Sequence, residues 1–352
     1  MQHLIWIAAI VVILTFVPTI QALTEDERLI EYHARNYTWP LSEVVPNTPG
    51  WAKLMNRRFQ QIERIPDSNQ RYNAWMQVMS SALVSPNFTE NGWGLARAPA
   101  HLVQELQQKI RDNLHNATYE NKVDVIEGLN HVQEEAPLFI PNYELNHKVL
   151  QELKPLHEEW SGVPLVGEIA YGLRLYQNNS RLLMHVDKSA THIISCILHI
   201  DHSEDSEPWP IIIEDFQGNT NEVVLEAGDM LFYESSKCLH GRPHYFKGSW
   251  YSSIFVHYYP VGWDGNARIM ETHYAVPPIW SIDPPPVQEE ELDKDDDDYV
   301  EELVMVGTSM KEPECEHVWC ALKDSVKWYG PAKEGVTITT GYDESQLSQG
   351  EL

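Results

Sequence analysis

The stretch Leu182-Leu183-Met184-His185-Val186-Asp187, answered much later by His240, decides how this chain is read. A His and an Asp at positions i and i+2 project from the same side of an extended strand. Two neutral imidazoles and one carboxylate make a facial triad, the ligand set that holds Fe(II) on one face and leaves the opposite face open. With His185 and Asp187 on one strand, His240 has to arrive on a partner strand folded back across a barrel.

The sequence around the motif reads as short strands and turns. Leu165 to Gly172 and Leu173 to Tyr176 lead to a polar turn at Gln177 to Ser180, and Leu182 to Met184 run into the motif. His192 to Ile200, Trp209 to Ile213, Val223 to Leu225 and Met230 to Tyr233 follow, separated by turns at Gln217 to Asn219 and Ala227 to Asp229. The aromatic run from Trp250 to Tyr259 closes the set. Strands this short, with no helix between them, predict a barrel or jelly roll.

Residues 165 to 262 resemble the double-stranded β-helix domain of Fe(II)/2-oxoglutarate dioxygenases, and the prolyl 4-hydroxylase type in particular. The resemblance is carried by Tyr176, His185-Val186-Asp187, the Ala227 to Tyr233 strand, His240 and the last strand from Trp250. It implies an α+β protein with a jelly-roll core, around which an N-terminal helical region packs. It also implies that His185, Asp187 and His240 hold Fe(II), that 2-oxoglutarate and O2 are co-substrates, and that ascorbate is a further cofactor. Tyr176 falls where the family has a tyrosine that hydrogen-bonds 2-oxoglutarate, and His199 where relatives have a tyrosine reaching its far carboxylate. The reading of each as an ordinary core residue stays open. His244 and His257 are the other histidines that compete for the third ligand position; His240 is preferred because it follows the 229–233 strand after a short loop.

One departure stands out. The family anchors the far carboxylate with a Lys or Arg at the start of the last strand, where this chain has Ser249. A buried carboxylate without a cation is costly. Arg242 and Lys247 are the nearest substitutes. Arg242 is preferred because a planar guanidinium grips a carboxylate through two hydrogen bonds, the alternative being a solvated loop arginine.

With 352 residues, the chain can form one large or two modest domains. Its 43% hydrophobic content, with 12 Trp, 16 Tyr and 8 Phe, supports a sizeable core. The net charge is −27, and the acidic run Gln288 to Glu302 contributes only part of it. Such a charge disfavours nucleic acid, which needs a basic face, and admits a peptide or protein substrate. Leu4 to Val17 is an apolar run broken by Pro18, and Thr19 to Ala22 make an acceptable cleavage site. Residues 1–22 therefore read as a signal peptide, with no membrane span once cleaved; the alternative is a retained type II signal anchor. The Asn36, Asn87, Asn116 and Asn178 sequons agree with passage through the ER lumen or secretion. The terminal Gln349 to Leu352 only partly resembles a retrieval signal.

Four cysteines suit an oxidising compartment. Cys315 and Cys320 are placed for a local bridge, while Cys196 and Cys238 read as either a pair or two buried thiols. The expected organisation is a mainly helical region at 23–160, a dioxygenase barrel at 161–265, a Pro-rich and acidic linker at 277–302 and a tail at 303–352. Helices are predicted over 101–114, 122–132 and 143–160, padding the barrel or serving the substrate. Three functions follow: a 2-oxoglutarate-dependent hydroxylase of a peptide or protein side chain, proline favoured; an Fe(II) oxygenase with another co-substrate; or a non-catalytic jelly-roll binding module.

Overall fold

A computed structural model describes residues 48–79, 82, 85–120, 132–265, 304–306, 308–322 and 325–331. The 1–22 segment, the Asn36 sequon, the 277–302 run, the last four residues and the expected 122–132 helix up to residue 131 lie outside the described residues. In chain order the elements are helices α1 (Pro49–Glu63) and α2 (Ser68–Ala74), strand β1 (Trp93–Arg97), helix α3 (Ala100–Asn113), strands β2 (Thr118–Tyr119), β3 (Val132–Gln133) and β4 (Leu138–Phe139), and helix α4 (Tyr143–Ser161). The strands β5 (Leu165–Gln177), β6 (Arg181–His185), β7 (Ile194–His202), β8 (Ile211–Glu214), β9 (Thr220–Val224), β10 (Asp229–Tyr233), β11 (His240–Arg242) and β12 (Trp250–Pro260) follow. The described residues end with β13 (Val304–Val306), β14 (Ser309–Lys311) and β15 (Val326–Tyr329). No helix among the described residues is long and apolar enough to cross a membrane.

Two sheets face each other. One has the order β1-β10-β7-β12-β5-β4-β2, and the other β13-β14-β6-β11-β8-β9-β15, with β3 also paired to β6. The eight strands from β5 to β12 are shared between the two sheets in the jelly-roll manner, crossing from one to the other at every step except the β8–β9 hairpin, as the short strands and turn signals predict. Two of the expected helices form: Leu102, Val103, Leu106 and Ile110 on α3 and Val149, Leu150 and Leu153 on α4 are buried against Leu173, Leu175, Leu198 and Val256 of the first sheet. Gly162 ends α4 in the left-handed conformation (φ 72°), which glycine adopts without the steric cost of a Cβ.

Strands from outside residues 161–265 join both sheets. From the N-terminal side, β1 extends the first sheet by pairing with β10. From the C-terminal side, β14 pairs with β6, placing Ser309 across from His185, and β15 lies parallel to β9 at the other edge. The tail therefore holds both edges of the sheet that carries the histidines. Val132, expected at the end of a helix, lies in β3.

Charge locks the tail to α1. Arg58 and Glu214 are both buried and form an ion pair. Arg58 also donates to Gln61 Oε1 at 2.7 Å, Gln61 donates to Glu312 Oε1 at 2.6 Å, and Arg57 donates to Glu312 Oε2 at 2.5 Å. Trp319 Nε1 donates to Glu214 at 3.1 Å. Buried carboxylates require this kind of complete pairing, because removing one partner strands a charge in a low-dielectric medium. The nearby Cys315 and Cys320 form a disulfide with a Cα–Cα distance of 5.1 Å, whereas Cys196 and Cys238 are separate buried thiols.

Trp328 of β15 is fully buried, meets the Trp93 ring edge-on at 5.4 Å and donates to Asn221 at 2.9 Å. Trp328→Ala should cost about 3–5 kcal/mol, the range for removing a large buried aromatic. Urea unfolding of the variant checks this, and an unchanged midpoint would show the tail to be dispensable for the fold.

Candidate metal centre

The side chain of His185 points between the sheets because its neighbours Met184 and Val186 pack outward on Ile62, Ile65, Leu239 and Trp319. Antiparallel pairing sets His240 directly across from His185. Residues paired in this way share a face, so two histidines remote in sequence become neighbours. Their ring centroids are 4.4 Å apart. Asp187 follows the strand end, with its N–H donating to Ser235 O at 2.9 Å. The Asp187 Oδ1 atom lies 3.7 Å from His185 Nε2 and 3.8 Å from His240 Nε2. One ligand atom from each of the three residues falls within 4.8 Å of the others.

Both rings are held in one tautomer. The Nδ1 atom of His185 contacts Leu183 O at 2.7 Å, and that of His240 contacts Cys238 O at 2.9 Å. A carbonyl only accepts, so each Nδ1 carries the proton and each Nε2 presents a lone pair toward Asp187. Burial lowers the pKa of His185 to about 3, with the charge of nearby His240 adding to the effect, and burial lowers that of His240 to about 4. Both are therefore neutral, as metal binding requires. Asp187 Oδ2 is buried without a hydrogen-bond partner. Two imidazole nitrogens and one carboxylate with an unsatisfied buried oxygen fit a divalent cation of the Fe(II) kind.

The competing histidines are placed elsewhere. His244 stacks on His317 at 3.7 Å. The His257 ring lies 3.7 Å from Asp187 Oδ2, but its Nδ1 bonds Ser195 at 2.8 Å and it stacks on His192 at 4.0 Å. Tyr233 on β10 is buried, edge-on to His240 at 4.5 Å. Burial pushes the pKa of its hydroxyl well up, and the charge of the nearby Asp187 raises it further.

The co-substrate candidates divide. Tyr176 is buried on β5 across from Tyr251, with its ring edge-on to Trp209 at 5.0 Å. Arg242 lies on β11 rather than in a solvated loop, and is 2% exposed. His199 is corrected: its Nδ1 contacts Ser252 O at 3.0 Å and its Nε2 contacts His202 at 2.9 Å. Both ring nitrogens are thus taken up inside the protein, and neither is left to reach a co-substrate.

Arg174 was not legible as a functional candidate from motifs. It is buried and grips Glu120 through Nε at 2.9 Å and Nη2 at 2.8 Å. It also donates to Tyr176 OH at 3.4 Å. The signal was present in Arg174-Leu175-Tyr176, where strand alternation puts the arginine on the same face as the tyrosine. Of the described sequon residues, Asn116 and Asn178 are exposed. Asn87 is half-buried, and its Oδ1 accepts a hydrogen bond from the buried Lys237.

No family model matches the chain, and no curated protein matches it in sequence. Solved structures do resemble it. A Pseudomonas putida prolyl-4-hydroxylase is 15% identical over 52% of this chain and 99% of its own, with a TM-score of 0.36. A Trichoplax adhaerens prolyl hydroxylase, solved with a hypoxia inducible factor peptide fragment, is 9% identical over 55% of this chain and 93% of its own, at 0.39. Streptomyces hygroscopicus HygX, solved with nickel, 2-oxoglutarate and hygromycin B, is 12% identical over 50% of this chain and 85% of its own, at 0.37. These are partial likenesses at low identity, and the metal centre stands on its own geometry.

Tyr233→Ala, which removes the ring packed on His240, should weaken metal affinity by about 10–100-fold, the range for groups that support a ligand. Competition with a metal-sensitive dye measures this, and unchanged affinity would remove Tyr233 from the centre.

Proposed function

We propose that this protein is an Fe(II)- and 2-oxoglutarate-dependent dioxygenase that hydroxylates a carbon on a peptide or protein side chain, with proline favoured, in the secretory pathway. The observation that carries the reading is the buried constellation of His185, Asp187 and His240, two lone-pair nitrogens and one carboxylate oxygen converging between the sheets. When bound, Fe(II) and 2-oxoglutarate supply the oxidising power that converts C–H to C–OH, with O2 consumed and the keto acid leaving as succinate and CO2.

The protein's own residues do the rest. His185 and His240 bind through Nε2, because the carbonyls of Leu183 and Cys238 hold the protons on Nδ1. Asp187 brings the balancing negative charge, and the Tyr233 ring packs edge-on against His240. Tyr176, Trp209, Phe246 and Tyr251 form a buried aromatic wall that excludes water from the co-substrate's side. The peptide or protein substrate and the preference for proline rest on the motif resemblance. The secretory setting rests on the apolar run Leu4 to Val17 and the sequons.

The test needs no known substrate. Fe(II) and then 2-oxoglutarate are added without oxygen, and the visible spectrum is recorded. A charge-transfer band is expected that is lost in His185→Ala and after chelator treatment, and returns when Fe(II) is restored. Bound iron without a band would replace 2-oxoglutarate with another co-substrate. No bound iron would leave a binding module.

A further inference from the structure

Among the described residues, the space between the sheets contains a cation without a countercharge. Arg242 is buried on β11, the short strand that also carries His240. Its Nη1 donates to the Trp209 carbonyl and its Nη2 donates to Tyr251 OH at 3.1 Å. The guanidinium carbon lies 4.7 Å from the ring centroids of both Trp209 and Tyr251. Among the described residues, no carboxylate stands within ion-pair distance of it. Two neutral oxygens satisfy hydrogen bonds, but they do not repay the cost of burying a full charge, which requires an anion.

Arg242 is also in the right surroundings. Trp209 and Tyr251, which enclose it, belong to the same buried cluster as Tyr176. Tyr251 comes from the opposite sheet, where it pairs with Tyr176, so the guanidinium lies between the two sheets rather than on an outer face.

The other candidates fail on geometry. Ser249 is exposed, with its hydroxyl donating to Asp205 at 2.7 Å. Lys247 is exposed beside Glu207. Arg174 is already neutralised by Glu120, and both nitrogens of His199 are occupied.

We propose that Arg242, enclosed by Trp209 and Tyr251, is the residue that binds the far carboxylate of the co-substrate and selects a dicarboxylic 2-oxoacid. This rests on the dioxygenase reading above. The anchor then comes from the strand of the second histidine instead of from the last strand. The guanidinium retains donor capacity for one carboxylate oxygen, and the Tyr251 hydroxyl, which accepts from Arg242, has its own proton to give to the other.

The experiment titrates two 2-oxoacids into the anaerobic Fe(II)-loaded full chain and follows the charge-transfer band. One is 2-oxoglutarate; the other is 2-oxopentanoate, of equal length but with a methyl group in place of the far carboxylate. The wild type should prefer 2-oxoglutarate strongly. Arg242→Met should weaken 2-oxoglutarate binding by at least about 30-fold, in line with loss of one partner of a buried charge pair. It should leave 2-oxopentanoate and Fe(II) affinity unchanged, whereas Arg242→Lys should retain part of the preference and Lys247→Met all of it. A merely structural role would weaken both acids alike. Overturning results are equal binding of the two acids by the wild type, an undiminished preference in Arg242→Met, or, if that variant does not fold, an undiminished preference in Arg242→Lys. No band with either acid in the wild type would instead defeat the dioxygenase reading, and this inference with it.

Discussion

Everything at the metal centre depends on one strand pairing, β6 against β11 with His185 across from His240. Side chains paired across a ladder share a face, so this register puts both imidazoles on the interior side together. A slip of one residue would turn a ligand outward and replace it with an apolar neighbour such as Met184 or Leu239. The outer face therefore protects the register: Met184, Val186 and Leu239 are seated in a buried cluster with α1 and Trp319. The hydrophobic pattern on one side of the sheet holds the polar chemistry on the other.

The same logic explains the tail. A sheet of short strands has two open edges, each a row of unpaired backbone groups. Here β14 covers the edge beside His185, and β15 covers the edge beside β9. Between them, Glu312 and Trp319 enter the Arg57, Arg58 and Glu214 network. Glu214 ends β8, the strand that pairs with β11 through Ile213 and His240. The N-terminal helix and the tail thus brace the strands that carry the ligands, although neither contributes one.

Charge is handled differently at two depths of the interior. Arg174 is matched by Glu120, a fixed partner supplied by the fold. Arg242 is enclosed by aromatic rings and neutral oxygens. Among the described residues Arg242 has no carboxylate partner, which suits it to an incoming anion. The aromatic enclosure restrains the guanidinium, so little side-chain entropy remains to be lost when an anion binds.

The jelly roll and the candidate ligand set were legible because both depend on local pattern. Short alternating strands between turn residues admit few architectures, and His185 with Asp187 at i and i+2 must share a face whatever surrounds them. The choice of His240 over His244 and His257 also followed from order along the chain. What was not legible depends on pairing between remote segments. Sequence patterning does not state which edge a tail strand will cover, so β14 and β15 read only as parts of a tail. It does not state burial either: Arg242 and Lys247 look alike in a loop of mixed composition, yet one is enclosed between the sheets and the other faces water. His199 matched a family position, but its neighbours Ser252 and His202 took both of its nitrogens. The sequence by itself determined the succession of short strands along the chain and the chemical kind of the metal centre, because residue type and spacing are local properties. Only the tertiary structure decided which charges lack partners and which edges are closed, because burial and pairing arise when distant parts of the chain meet.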